Sequence, residues 1–135
     1  MPKPAIACLI ALLVVAAPAF GAWDPQRFSA EDTLEFLTVA PGEAPHWSTV
    51  WVVVIDGQVY IRLGTRAAGR IEQNTTKPVV QLRIAGQEFD RVKAEPAPEM
   101  AAAVAAAMRE KYWSDVLVRH FDHPLTMRLT PEAPP

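Results

Sequence analysis

The sequence predicts a mainly β, α+β fold: a small antiparallel β-barrel of about six strands with one long C-terminal helix. Three observations predict it. Runs of β-branched and aromatic residues recur from Asp32 to Thr130. The dipeptide Asp56-Gly57 fits a two-residue type I′ hairpin turn. An apolar stripe of Met100, Val104, Met108 and Tyr112 falls at helical spacing in an alanine-rich segment.

The N-terminus comes first. Lys3 precedes an unbroken apolar run from Ala5 to Ala17, and Ala17-Pro18-Ala19 has the small-x-small form that signal peptidase accepts. Residues 1–22 are therefore expected to be a secretory signal peptide, cut after Ala19 or, close behind, after Gly21 or Ala22. A retained membrane anchor is the competing reading, against which Pro18 and Gly21 break the end of the run. The expected location is periplasmic or secreted, with no stable membrane insertion after cleavage. Cys8 is the only cysteine and lies within the signal, which excludes disulfides, thiolate metal sites and cysteine nucleophiles from the mature chain. Loss of Lys3 leaves 12 basic against 15 acidic residues, a formal charge of −3. That balance argues against a nucleic-acid partner. Roughly 115 residues remain, the size of one domain with one modest core. The domain is placed at residues 23–130, and the proline-rich tail 131–135 is expected to be disordered.

Along the domain, Asp32 to Val39 reads as a strand in preference to a helix capped by Ser29, because Thr, Phe and Val suit a pleated surface and Pro41-Gly42 follows as a turn. In Ser48 to Ile55, Thr49, Trp51, Val53 and Ile55 line one face and Val50, Val52 and Val54 the other. Both faces are apolar, so both should be covered. A second copy of the chain is the expected cover, hence a homodimer. Asp56-Gly57 makes Val59 to Leu63 the antiparallel partner. An arginine-rich loop follows, with a helical turn at Ile71 to Asn74 ahead of Lys77-Pro78. Val79 to Ile84 alternates buried Val80, Leu82 and Ile84 with wet Gln81 and Arg83. Ala85-Gly86 turns the chain into a strand over Glu88 to Glu95, which Pro96-Ala-Pro98 stops. Pro98 and Glu99 suit a helix first turn. The helix they open carries the methionine and tyrosine stripe, read as core packing. Leu125, Met127 and Leu129 then alternate with Thr126, Arg128 and Thr130 in a closing strand.

The stretch VYIRLGTRAAGRIEQN, residues 59–74, concentrates positive charge in a net acidic chain. Its arginines are either solvated side chains at a hairpin end or anion ligands. Arginine offers a planar fork to a phosphate, a threonine hydroxyl complements it, and Gly64 and Gly69 would let the backbone come close.

Four short motifs carry a resemblance: Trp51-Val-Val53, Val59-Tyr-Ile-Arg62, Ala107-Met-Arg-Glu-Lys-Tyr112 and Thr126-Met-Arg-Leu129. With the V-Y-I-R-x-x-T-R-x-x-G-R-I-x-x-N pattern, they make the chain similar to the FMN-binding split barrels of the pyridoxamine 5′-phosphate oxidase-like superfamily, in a small subgroup of it. The resemblance spans about Asp32 to Glu132. It implies a split barrel, a homodimer, and flavin mononucleotide bound between subunits, with oxidoreductase or electron-transfer activity. Cofactor binding then falls on Arg62, Thr65, Arg66, Arg70 and Asn74. The departure is Thr75-Thr-Lys77 between Asn74 and Pro78, which lengthens the loop. No catalytic acid or base is assigned. The alternative is a non-catalytic dimeric periplasmic binding module.

His120-Phe-Asp-His123 supplies two imidazoles and a carboxylate, so His120 and His123 are metal or haem candidates beside a helix-capping role. His46 stands apart from them. Trp47, Trp51 and Trp113 are rings that could stack on a flavin, with burial as the ordinary reading for Trp51 and Trp113. No nucleophile elbow, zincin motif or P-loop occurs.

Overall fold

A computed structural model of the chain describes residues 22–112 and 125–132. Most of the expected signal segment, Trp113, His120, His123 and residues 133–135 lie outside them. Six strands close an antiparallel barrel: β1 (Thr33–Thr38), β2 (His46–Ile55), β3 (Gln58–Leu63), β4 (Val79–Ile84), β5 (Gln87–Pro96) and β6 (Leu125–Pro131). They run around it in the order β1-β2-β3-β6-β5-β4. Among the described residues three α-helices accompany them: α1 (Pro25–Phe28), α2 (Thr65–Gln73) and α3 (Ala101–Lys111). Among the described residues no helix is long and apolar enough to cross a membrane.

The hairpins form where local chemistry asks for them. Asp56 and Gly57 both have positive φ, 49° and 74°, and set Val54 against Val59 and Ile55 against Gln58. Those angles are the type I′ geometry whose twist matches the flanking strands. Ala85 and Gly86 turn the same way, with φ of 54° and 71°. Side chains then alternate. Leu34, Phe36, Val52, Ile61, Leu82, Val92 and Leu129 enter the barrel and are almost wholly buried. On the outside of β4, Gln81 is half-buried and Arg83 exposed, the wet side that alternation predicts.

Each end of the barrel is covered by a short helix. Asp24 caps α1 by accepting from Arg27 N at 3.3 Å, and Pro25 occupies its first turn. Phe28 is fully buried in the barrel core and meets Trp23 and Phe89 edge-to-face, with ring centroids 5.0 and 5.8 Å away. Ser29 is the C-cap of this helix, not the start of one over 32–39. At the opposite end, α2 lays Ile71, Ala67 and Ala68 on the core.

Helix α2 replaces the expected loop and single turn. Gly64 is its N-cap, and Arg66, Ala67 and Ala68 are sound helix formers. Ala67, Ala68 and Ile71 make one apolar face once a barrel end lies beneath them. Gly69 sits inside the helix, and a Cβ built there would meet nothing within 4 Å, so no close approach requires glycine at this position.

The second face of β2 is covered within the same chain. Val53 and Tyr60 are buried under Ala97, Val104 and Met108, with Trp51, Ile55 and Met100 packed around them. The stripe at 100, 104, 108 and 112 is therefore core packing, and α3 is the layer for which a second copy had been expected. This helix opens with a 3-10 turn at Pro98–Met100. At the C-terminus β6 runs through Pro131, which pairs with Val92. Glu132 N donates to Arg91 O at 3.1 Å, and its carboxylate accepts from Arg91 at 2.7 Å. The ordered domain thus extends past residue 130 into the expected tail.

Candidate functional site

Strand β3 alternates Val59, Ile61 and Leu63 inward with Tyr60 and Arg62 outward. Arg62 stands opposite Thr126 of β6 and is half-buried. One residue after the strand, Gly64 has extended backbone, φ −74° and ψ 173°, and α2 begins. Gly64 has no side chain to cap the first N–H groups, and no acidic residue occupies the first turn. Thr65 and Arg66 are the first two residues of the helix and are exposed. A helix start in this condition carries partial positive charge and outward N–H groups, a combination that suits an anion.

The five residues expected to hold a cofactor are not brought to one point. Thr65 and Arg66 stand together at the start of α2, directly after the strand that carries Arg62. Arg70 lies in the last turn, one helical turn beyond Arg66 on the same side and about 6 Å along the axis. There its charge complements the negative helix end.

Asn74 is engaged elsewhere. Only 6% exposed, it accepts from Val39 N at 3.0 Å, and its Nδ2 donates to Val79 O at 3.1 Å and Thr76 Oγ1 at 3.0 Å. Thr75 N adds a bond to Val39 O at 2.9 Å. The amide thus joins the end of β1 to the start of β4 across the longer loop. Every polar atom of its side chain has a partner in the chain itself, so it is a clamp between strands.

The motifs that carry the family resemblance meet on a different face. Trp51 and Tyr60 pack beneath α3, and Tyr112 stacks on Trp51 with centroids 4.3 Å apart and planes at 7°. The one proton of the Tyr112 hydroxyl is shared between Val52 O, at 2.8 Å, and Asp32 O. Lys111 Nζ donates to Val52 O at 2.8 Å and to Glu31 O. Burial pushes the Tyr112 phenol up to about 12, and burial lowers the Lys111 ammonium from its ordinary range against the opposing pull of Asp32 and Glu31. Arg128 lies 5.4 Å from the Tyr60 ring centroid and donates to the Tyr60 hydroxyl at 3.3 Å and to Glu99 at 3.1 Å. These residues fasten α3 and its opening turn to β1, β2, β3 and β6. The sequence signalled their importance through the motifs without showing that their partners are largely main-chain oxygens.

On the outside of the barrel where β4, β1 and the start of β2 lie side by side, Arg83 lies over the Trp47 ring at 3.7 Å and pairs with Glu88 at 2.8 Å and Glu35 at 3.7 Å. Among the described residues no cluster of three or more His, Cys, Asp or Glu could hold a metal. His46 is exposed at the start of β2.

Comparison with protein-family models returned no match, and neither did comparison with curated proteins. Among solved structures, the chain is similar to an FAD-binding protein from Mesorhizobium loti whose crystal structure was determined at 1.95 Å resolution. The two are 15% identical, the match covers 78% of this chain and 85% of that one, and the TM-score is 0.46.

Proposed function

We propose that this chain is an exported split-barrel protein that binds flavin mononucleotide, with the phosphate at the start of α2. The observation that carries the reading is the passage from β3 to α2, where Thr65 and Arg66 follow Gly64 at an uncapped helix start. It supports the resemblance read from the same residues. A phosphate monoester there would accept from the first N–H groups of α2, from the Thr65 hydroxyl and from the Arg66 guanidinium. Arg70, one turn further along, would contribute through longer-range charge, and Arg62 from the preceding strand. Asn74 does not fit a ligand role, because its amide is committed to Val39, Thr76 and Val79. A bound flavin would supply hydride or single-electron transfer, and the protein would supply anchoring and shielding.

Titration of the purified chain with flavin mononucleotide and riboflavin tests this. Flavin mononucleotide should bind more tightly than riboflavin. Arg66→Ala should weaken it at least tenfold, a loss of roughly 1.5–3 kcal/mol for a charge-assisted contact. Arg70→Ala should weaken it less, and riboflavin should bind all forms alike. A folded parent that binds neither compound would defeat the reading.

A second reading, a non-catalytic dimeric periplasmic binding module, is favoured by the motif residues, which pack and fasten α3. Absence of flavin binding together with a dimer in light scattering would support it. In either reading the proposed dimer face is the outside of β4, β1 and the start of β2, around Arg83 and Trp47, which no described helix covers. Intact-mass analysis of the exported protein tests the secretory assignment: the mature chain should begin between Phe20 and Trp23.

A further inference from the structure

Helix α2 does not close its end of the barrel completely. Where its last turn meets Lys77-Pro78, the end of β5 and the start of β6, a cleft of about 150 Å³ runs down to the barrel core. Its floor is Ile71, Val80, Ala94 and Met127, each no more than 5% exposed, and Pro96 and Leu125 form its walls. Close-packed interiors rarely leave voids much larger than a water molecule, and an apolar cavity of about this size can take a benzene ring.

We propose that this cleft is a binding site for a small uncharged aromatic compound, one ring in size, seated between the last turn of α2 and the floor formed by Val80, Ala94 and Met127. Size follows from the volume, which is far too small for a tricyclic flavin. The lack of charge follows from the rim. Glu72 is paired with Lys77 at 2.8 Å, and Glu95 is paired with Lys93. An ion lowered onto the apolar floor would lose its hydration against rim charges that already have partners. Asn74, the polar side chain on this wall, has its amide engaged by Val39, Thr76 and Val79. Aromatic character follows from Met127, whose polarizable thioether makes favourable contacts with ring edges.

The proposal does not depend on flavin binding, and its test is separate. Toluene titrated into the full purified chain, followed by methyl NMR, should shift the Ile71, Val80, Leu125 and Met127 methyls saturably. The Val53, Val104 and Met108 methyls, at the contact between β2 and α3, should stay still. Benzoate and benzylamine at equal concentration should produce no saturable shift at the floor. Ala94→Leu, which fills the floor, should weaken toluene binding at least tenfold, whereas Arg66→Ala should leave it unchanged. Shift mapping in the parent decides the matter if Ala94→Leu does not fold. The proposal is overturned if the floor methyls show no saturable response up to the solubility limit of toluene. It is equally overturned if both groups of methyls respond alike, or if either charged analogue binds as well as toluene.

Discussion

Replacing Asn74 by alanine should unfold this protein far more readily while leaving any phosphate site in place. Asn74→Ala removes three hydrogen bonds, to Val39 N, Val79 O and Thr76 Oγ1. The carbonyl of Val79 keeps one partner, because the Thr76 hydroxyl also donates to it at 2.6 Å. Val39 N–H is left without its acceptor in a half-buried position. Three ordinary bonds at about 1 kcal/mol each, with the orphaned donor raising the loss and the retained Thr76 contact moderating it, give roughly 2–4 kcal/mol. In a domain of this size that is a fall in Tm of about 10–20 °C. Thermal and urea unfolding followed by circular dichroism measures it. Flavin titration of the folded variant should return the parent affinity. If Asn74→Ala melts within about 3 °C of the parent and loses flavin mononucleotide affinity instead, the clamp argument is wrong and Asn74 is a ligand.

Gly69→Ala should stabilise the chain by about 0.5–1 kcal/mol, since Gly69 lies inside α2 with open space where a Cβ would stand; an unchanged or lower urea midpoint would contradict this. Ala85→Asn should add up to about 1 kcal/mol by placing a residue tolerant of positive φ at a position now held at 54°, and a lowered Tm would contradict that. Because the phenol of Tyr112 is raised from 10.0 to about 12, the folded chain binds that proton more tightly than the unfolded one. The stability this contributes is fully present below about pH 10 and is lost as pH rises toward 12. Tyr112→Phe should lower stability at neutral pH by roughly 1–2 kcal/mol through the lost carbonyl contacts and should flatten the alkaline decline; parallel declines in the two proteins would refute the assignment.

The strands were legible because their signals are local. Asp56-Gly57 declares a turn, and the alternation around it declares which residues share a face. Val79 to Ile84 coincides with β4 from end to end. Helix α2 was hidden for a corresponding reason. Gly64 and Gly69 read as loop, and Ala67, Ala68 and Ile71 become an apolar face only when the open end of a barrel lies beneath them. The covering of β2 was half legible: its two apolar faces announce two layers, yet nothing near Trp51 shows that Val104 and Met108, some fifty residues on, supply the second. Of the candidate site, the pairing of Thr65 with Arg66 was visible in the residue types. The commitment of Asn74 was not, since its main-chain partner at Val39 is 35 residues distant.

Lys111 and Tyr112 take hold of the oxygens of residues 31, 32 and 52, and every amino acid presents the same oxygen. These hydrogen bonds are therefore blind to the side chains of the residues they grip. Positions 31 and 32 can change size or shape and still present those oxygens, provided the chain keeps its path, although their carboxylates also favour the Lys111 charge. Positions 111 and 112 have no such latitude. One side of this contact can drift in shape while the other stays fixed, so long as the entrance to β1 keeps its acidic character.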